Sequence, residues 1–239
     1  MQIKIRIVLD CPLTLPVSYH HILQGVIYHL MSEDENGTLL HDNGSSFGKR
    51  AYKLFTYGPI LGIYKVKGHR ITFLDEITFE VRALDSNVIW QMEDNILEYG
   101  IRFGEHLYEE VECEVSDNHL TLEEARIQMI SPICVYKTDE VSKHTTFFTP
   151  DEFEFFEAIT ANMHRKYKAA TGTDASMTLQ LMKLDVQPKD KYFTQYKNFY
   201  LEGYKGIYKI KGKPEELDFL YQVGIGAKNS QGFGMFEVL

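Results

Sequence analysis

The order of strand and helix signals along this chain restricts its fold more than any other feature. Apolar and polar residues alternate over residues 2–9, as in a half-buried strand, and a helical period follows. Further signals complete a β-α-β-β-α-β order: a helix over 18–31, a strand over 51–57, a hairpin over 61–74, a helix from residue 85 or 86 to Gly100, and a strand over 104–115.

After a hinge at about residues 117–124, the same order begins again. Thr149-Pro150-Asp151-Glu152 reads as a capping box with proline at the first helical position. The helix has a core stripe of Phe153, Phe156, Ile159 and Met163 and ends at Gly172. The remaining signals are strands over 125–136, 177–181 and 199–210, a helix over 214–221 and a closing strand over 233–238. We therefore predict an α+β chain of tandem ferredoxin-like (RRM-like) domains, at residues 1–122 and 123–239. That fold alone implies no function.

The first predicted helix has one aromatic residue outside its apolar stripe. With about 100° of rotation per residue, the stripe is formed by Ile22, Leu23, Val26, Ile27 and Leu30. Tyr28 points to the other side of the helix, with His21 and Gln24. Two interpretations stay open: the tyrosine covers a loop or a second layer of structure, or it presents its hydroxyl to a ligand.

A glycine-rich loop near the C-terminus is the strongest local motif. Two Gly-x-Gly pairs, Gly224 with Gly226 and Gly232 with Gly234, flank a polar centre. Glycine permits positive φ, so the backbone N–H groups of such a loop can converge on an anion. Neither a P-loop ending nor the third glycine of a dinucleotide fingerprint is present. The alternative is a flexible turn near a terminus.

The composition suits a globular protein of a reducing cytoplasm. Hydrophobic residues make up 44% of the chain, enough for a sizeable core. We find no apolar run of about 18 residues, as a membrane span requires, and no apolar core of a signal peptide. Cys11, Cys113 and Cys134 are too few and too far apart for a disulfide framework or a Cys-x-x-Cys metal site. We therefore expect no metal and no other cofactor.

The charge distribution leaves two interpretations open. A net charge of −9 argues against indiscriminate binding to nucleic acid. The lysines and arginines are nevertheless clustered, at 49–70, 183–197 and 205–213, while acidic residues concentrate at 105–114 and 139–157. The clusters form one basic face on an acidic protein, or they are ordinary surface lysines on strands.

Several of these segments together resemble a known family. The run Val223-Gly-Ile-Gly-Ala-Lys-Asn-Ser-Gln-Gly-Phe-Gly-Met235 resembles the C-terminal signature of the RAMP superfamily, the RNA-binding proteins of CRISPR systems. In the front half, Leu15-Pro16, Leu23 to Tyr28, Leu40-His41 and Lys53-Leu-Phe-Thr-Tyr57 resemble the sixth Cas family. The resemblance extends from the first predicted strand to the last.

The resemblance implies an activity. Members of that family are endoribonucleases that cut CRISPR repeat transcripts into guide RNAs, typically without metal. The 2′-hydroxyl upstream attacks the scissile phosphate and leaves a 2′,3′-cyclic phosphate or 3′-phosphate and a 5′-hydroxyl. The expected partner is CRISPR repeat RNA. Whether the product passes to a CRISPR effector complex, and whether the chain is a homodimer, stays open.

The resemblance also assigns catalytic residues: Tyr28, His41 and Lys53. Histidine accepts or donates a proton near neutral pH, and lysine offsets charge on phosphate oxygens. The segment between His41 and Lys53 is long, so Lys49 is an alternative to Lys53, and His21 and His29 are lesser candidates for the acid or base. Because His41 is present, an active enzyme is favoured over a non-catalytic RNA-binding subunit of an effector complex.

Further residues are candidates for contacts with RNA. They are Lys49, Lys189, Lys191, Lys197, Gly224, Gly226, Lys228, Asn229, Ser230, Gly232 and Gly234. Tyr192, Tyr196 and Phe233 are candidates for stacking on bases, although core packing is the favoured interpretation of Phe233. A third alternative is a ferredoxin-like interaction module unrelated to RNA.

Overall fold

A computed structural model of the chain describes residues 1–32, 45–47, 50–176, 178–196 and 199–239. The strands in the first half are β1 (Gln2–Val8), β2 (Leu13–Pro16), β3 (Ser45–Phe47), β4 (Arg50–Tyr52), β5 (Phe55–Tyr57), β6 (Leu61–Lys67), β7 (Arg70–Ala83), β8 (Ile101–Phe103), β9 (His106–Tyr108) and β10 (Val111–Ser116). The helices in this half are α1 (His20–Leu30) and α2 (Ser86–Tyr99).

The second half also contains both strands and helices. Its strands are β11 (Glu124–Met129), β12 (Tyr136–Thr138), β13 (Thr145–Phe147), β14 (Gln180–Asp185), β15 (Lys191–Tyr196), β16 (Phe199–Tyr204), β17 (Ile207–Lys211) and β18 (Phe236–Val238). Its helices are α3 (Phe153–Thr171) and α4 (Pro214–Val223), with 3-10 turns at Pro188–Asp190 and Asn229–Gln231. In these described ranges, no helix is both long and apolar enough to cross a membrane.

The first sheet is antiparallel and is centred on the long strand β7. Its order is β10-β1-β7-β2, with β5 and β6 also paired to β7. Alternation buries Ile3, Ile5 and Ile7 on one face of β1. Helix α2 packs against β1, β7 and β10, and α1 packs against α2. The apolar stripes of these helices and the inner face of the sheet form one core cluster.

The second sheet has the order β14-β17-β11-β18, also antiparallel throughout. Ile127, Tyr208 and Ile210 line its buried face and pack with residues of α3 and α4. These residues form a second core cluster, separate from the first. The α+β class predicted from the sequence is therefore confirmed.

Most predicted elements are confirmed, with shifts at their ends. The hairpin over residues 61–74 is β6–β7, although β7 continues to Ala83. Helix α2 begins as predicted, because the Asp85 carboxylate accepts the Asn87 N–H at 3.0 Å, and it ends at Gly100, which has a positive φ. The predicted stripe of α1 is buried except for Ile22, which is half-buried.

Several details of the sequence prediction are wrong. The strand predicted over 51–57 is two strands, β4 and β5, and the strand predicted over 125–136 ends with β11 at Met129, before β12 begins at Tyr136. Helix α3 begins at Phe153 rather than Pro150, because a turn precedes it, and Phe153 is 72% exposed rather than part of the core. The single strand predicted over 199–210 is two strands, β16 and β17. Between them Gly206 has a φ of 109° and lies close to the Asp185 carbonyl. The strand predicted over 104–115 is likewise divided into the end of the β8–β9 hairpin and β10.

Arg82 joins the two halves at the outer face of β7. Its side chain is completely buried and lies 3.9 Å over the ring of Tyr221. It donates to the Phe236 carbonyl at 2.7 Å and forms ion pairs with Glu80 and Glu237. A cation on the first sheet is therefore bound to the last strand and to α4.

Candidate RNA-binding cleft

A cleft of about 800 Å³ lies where α1, α3 and the glycine-rich loop meet. Its lining comes from both halves of the chain: His21, Gln24, Gly25, Tyr28, Tyr52, Lys53, Tyr136, Thr138, Asn162, Lys166, Gly226, Ala227, Lys228, Asn229, Ser230 and Gln231. The side chains that the sequence assigned to two distant segments thus face one space.

Tyr28 and Lys53 are in direct contact on one wall of the cleft. The Lys53 ammonium lies 4.5 Å from the centroid of the Tyr28 ring. The ring also makes an edge contact with Phe55, at 5.7 Å between centroids. Tyr28 stays half-buried because it lies outside the apolar stripe of α1. Tyr28 thus lines the cleft while its ring packs on Phe55, and both interpretations of this tyrosine stay open.

The glycine-rich loop forms the opposite wall and is packed rather than flexible. It contains the 3-10 turn Asn229–Gln231, with left-handed backbone at Lys228 and Gly232. A Cβ at Gly232 would lie 2.7 Å from both the His20 and Tyr57 rings. A Cβ at Gly234, also at positive φ, would overlap the Ile225 carbonyl oxygen. Side chains at these positions are therefore excluded by space as well as by φ.

A buried lysine supports this loop from beneath. Lys166 of α3 is 3% exposed, and its ammonium donates to the carbonyls of Gly224 and Gly226 and to the Asn229 side chain. The Asn229 amide in turn donates to the carbonyls of Ile225 and Phe233. Burial lowers the pKa of Lys166 to about 7. Asn229, predicted to contact RNA, thus uses its side chain within the loop.

The electrostatics of the cleft differ from those of the whole chain. Lys53, Lys166 and Lys228 line it, and none of the described residues in its lining is Asp or Glu. The Lys228 ammonium lies 5.5 Å from the centroid of the Tyr136 ring. In a protein of net charge −9, this is a basic cleft without acidic neighbours in its lining. Such a site attracts polyanions.

Some predicted residues lie elsewhere. Lys189 and Lys191 are exposed at the β15–β16 hairpin, outside the lining of the cleft, and Lys191 pairs with Glu202 at 2.7 Å. His41, Lys49 and Lys197 lie outside the described residues, as does the side chain of Tyr196. Phe233 is fully buried, so its interpretation as a core residue is confirmed. His29 is exposed on α1, outside the lining of the cleft.

A buried histidine lies behind the loop. His20 contacts Phe233 and Tyr192 through its ring, and the Tyr192 hydroxyl lies 3.2 Å from its Nδ1. Burial lowers the pKa of His20 to about 4. This histidine and Tyr192 therefore belong to the packing that holds the loop against α1.

Sequence reasoning missed Lys166. The signal was present, because Lys166 falls in the same helical stripe as Ile159 and Met163, which are buried. A lysine in an apolar stripe is an exception that requires buried hydrogen-bond acceptors. The structure also brings Asp10, Cys11 and His106 within 4.8 Å of one another, away from the cleft.

Comparison with solved structures shows that the fold is shared with other proteins over the whole chain. A RAMP protein that binds different RNA substrates superposes with a TM-score of 0.79 at 19% identity, covering 100% of this chain and 99% of that chain. The similarity of fold extends over both halves.

Sequence comparison identifies the family. The model of the C-terminal part of CRISPR-associated protein Cas6 matches residues 114–238, more than half of the chain, and the chain belongs to the Cas6 family. It is 24% identical to CRISPR-associated endoribonuclease Cas6 1 of Methanocaldococcus jannaschii, over 98% of this chain and 91% of that protein. It is 26% identical to CRISPR-associated endoribonuclease Cas6 of Pyrococcus furiosus, over 100% of this chain and 90% of that protein.

Proposed function

We propose that this protein is a metal-independent endoribonuclease that cuts CRISPR repeat transcripts into guide RNAs. Its relatives from Methanocaldococcus jannaschii and Pyrococcus furiosus are both named CRISPR-associated endoribonucleases. The observation that carries the proposal is the cleft. Lysines from both halves and the Tyr28–Lys53 pair face one space whose described lining has no carboxylate. A phosphodiester enters such a space without charge repulsion.

The reaction is an internal transesterification. The 2′-oxygen forms a bond to phosphorus while the bond from phosphorus to the 5′-oxygen of the next nucleotide breaks. A base takes the proton of the 2′-hydroxyl, and an acid supplies a proton to the departing 5′-oxygen. The products are a 2′,3′-cyclic phosphate, which can open to a 3′-phosphate, and a 5′-hydroxyl. No oxidant, reductant or metal enters this balance.

The roles follow from the family resemblance and from side-chain chemistry. His41 is the proton-transfer residue, as base or acid. Lys53 offsets the charge that grows on the non-bridging oxygens, and Tyr28 orients the attacking hydroxyl. The contact between the Lys53 ammonium and the Tyr28 ring supports their action on one phosphate. Lys49 is the alternative to Lys53.

RNA binding involves a wider surface. Lys228 and Ser230 at the cleft are proposed to contact the backbone, with Lys49, Lys189, Lys191 and Lys197 extending the path. Gly224, Gly226, Gly232 and Gly234 give the loop its shape, and Asn229 supports it from within. The first N–H groups of a helical turn lack partners within the turn. This supports an anion contact at the 3-10 turn of the loop.

We also infer tandem ferredoxin-like domains at 1–122 and 123–239. In the second sheet the four strands, numbered in chain order, have the order 4-1-3-2 of that fold, as β18-β11-β17-β14. In the first sheet the four strands β10-β1-β7-β5, numbered in the same way, have the same order. The two separate core clusters support the boundary.

The test is cleavage of the CRISPR repeat RNA of the same genome in EDTA. Wild type is expected to cut, and His41→Ala is expected to lose at least about 100-fold in rate while still binding. Lys53→Ala is expected to lose activity, whereas Lys189→Ala, outside the cleft lining, retains it at saturating RNA. A 2′-deoxy nucleotide upstream of the scissile phosphate should abolish cutting.

Three outcomes contradict parts of the proposal in different ways. Full activity of His41→Ala would move the search for the proton-transfer residue to His21, His29 and Lys49. Salt-sensitive binding without cutting would indicate a non-catalytic RNA-binding subunit, and absence of binding would exclude the RNA function altogether.

A further inference from the structure

Lys166 occupies an unusual position for a lysine. It lies on the buried stripe of α3, with 3% of its surface exposed, yet no carboxylate is bonded to it in the described part of the chain. Its three partners are the Gly224 carbonyl at 2.7 Å, the Asn229 Oδ1 at 3.0 Å and the Gly226 carbonyl at 3.3 Å. An ammonium has three N–H groups, so each one has an acceptor.

The three acceptors belong to the entry arm of the glycine-rich loop and to its central turn. Gly224 and Gly226 form the arm that leaves α4. Asn229 bonds across the loop, to the Ile225 carbonyl at 3.1 Å and the Phe233 carbonyl at 3.0 Å. One ammonium thus connects the entry of the loop, its central turn and, through Asn229, its exit.

We propose that Lys166 is a positioning residue that holds the glycine-rich loop in its RNA-binding shape through these three hydrogen bonds. The inference rests on the proposed RNA function and adds a residue that contacts the loop rather than the RNA. Because all its N–H groups are occupied within the protein, Lys166 acts through the loop backbone and not as a phosphate ligand.

A proton linkage follows from this arrangement. A neutral amine has only two N–H groups for the three oxygens, so the charged form holds the loop best. Burial lowers the pKa of Lys166 to about 7, and a bound polyanion in the cleft favours the charged form again. Above pH 7, Lys166 of the free protein is partly neutral, so RNA binding should be accompanied by uptake of a proton at Lys166. The affinity for RNA should therefore fall as the pH rises above 7.

Other titratable groups surround α3 and must be separated from Lys166. They are His21 and Tyr28 of α1, Tyr52 of β4, Lys53, Tyr136 of β12, Lys228 of the loop, Glu216 of α4 and Lys183 of β14 with its partner Asp151. Three histidines must be separated from Lys166, because histidine also titrates near neutral pH. They are His21 in the lining of the cleft, His164 on α3 itself, and His41, the proposed proton-transfer residue. Affinity is therefore also measured in His21→Gln, His41→Gln and His164→Gln backgrounds, which remove these contributions.

The experiment compares Lys166→Met, Lys166→Arg and the matched control Lys168→Met. Lys168 is on the same helix but forms an exposed pair with Asp174. Affinity is measured from pH 6 to pH 9 with a repeat RNA carrying the 2′-deoxy nucleotide, and turnover with the cleavable RNA at saturation. Lys166→Met should weaken binding roughly 20-fold, through unsatisfied buried oxygens, and change saturated turnover less than about threefold. Lys168→Met should bind as wild type.

The pH profile gives the signature that a merely structural role would not produce. Wild type and His21→Gln should lose about tenfold in affinity between pH 7 and pH 9. Lys166→Arg should recover most of the affinity and show no such loss, because a guanidinium stays charged.

Two results would overturn the proposal. One is wild-type affinity of Lys166→Met at pH 7. The other is an Arg variant with the same pH slope as wild type, and this outcome decides the matter even if the Met variant fails to fold. Absence of RNA binding by wild type at every pH would instead refute the proposed function, and this inference with it.

Discussion

Two of the places where the halves of the chain meet differ in the groups that surround their positive charge. At the joint on β7, Arg82 is completely buried, lies over the Tyr221 ring and has two carboxylate partners, Glu80 and Glu237. In the cleft, Lys53 lies over the Tyr28 ring, but the described lining offers no carboxylate. Both cations contact an aromatic ring. Carboxylate counter-ions accompany Arg82, and the described lining of the cleft has none.

The difference distinguishes a cation that joins two surfaces from one whose charge is available to a ligand. Burial of a charge without a partner is costly, so a cation used to join two surfaces needs acids beside it. A cation that receives a phosphate must keep its charge uncompensated until the ligand arrives. Lys166 lies between these cases, because neutral carbonyl and amide oxygens hold it in place without cancelling its charge.

The largest effect on stability is expected for Arg82→Met. The change leaves Glu80 and Glu237 side by side without their cation and removes the bond to the Phe236 carbonyl. We expect a loss of about 3 kcal/mol in the free energy of unfolding, measured by urea denaturation. The matched control is Arg6→Met, whose side chain also bridges two carboxylates, Glu76 and Glu112, but is 44% exposed.

The control should cost less than about 1 kcal/mol, since its ion pairs are exposed to water. Equal losses for the two variants would show that burial of the joint does not matter. If Arg82→Met left the free energy of unfolding unchanged, the distinction between the joint and the cleft would be lost.

How far this comparison could be predicted from the sequence depends on how far apart in the sequence the contacting residues lie. Alternation along β7 places Ile77, Phe79 and Val81 on the core face and therefore predicts Arg82 on a solvated face. That face is instead covered by β18 and α4, which lie far along the chain. Local periodicity carries no information about such a second layer.

The candidate site shows the same division. The side of α1 that carries Tyr28 follows from its helical angle, and the polar centre of the glycine-rich loop follows from composition. Neither pattern indicates that the two segments face each other across one cleft with Lys166 beneath them. Tertiary packing decides that arrangement, as it decides the exposure of Phe153.

His20 is a second buried ionisable group, and none of the described carboxylates is bonded to it. We expect acid to reveal its burial. Burial lowers its pKa from 6.5 to about 4, so the folded state binds fewer protons than the unfolded state in this range. Its contribution to stability is complete above pH 6.5 and is lost as the pH falls towards 4. The loss amounts to at most about 3 kcal/mol.

His20→Gln should remove this part of the acid sensitivity, measured as unfolding free energies from pH 7 to pH 4. His21→Gln is the matched control, because it makes the same change on the same helix at an exposed position. A wild-type acid sensitivity that persists unchanged in His20→Gln would place the responsible group elsewhere.

The smallest expected effect, and the most direct test of the uncompensated cleft, is Lys228→Met. Its ammonium lies over Tyr136 at the rim of the loop, so its loss should leave the free energy of unfolding within about 0.5 kcal/mol of wild type. Affinity for the non-cleavable repeat RNA should fall about fivefold near 0.1 M salt. The slope of log affinity against log salt should become shallower by about 0.7, the value for one phosphate contact on a single strand.

Lys65→Met is the matched control, because Lys65 is exposed on β6 and lies outside the lining of the cleft. An equal change of slope in both variants would mean that the RNA responds to the overall charge of the chain. A change in Lys228→Met alone would mean that it responds to a cation left uncompensated in the cleft. For Arg82 we expect the opposite result, no change in the salt slope. Its charge is already neutralised by Glu80 and Glu237, so it does not displace counter-ions from RNA.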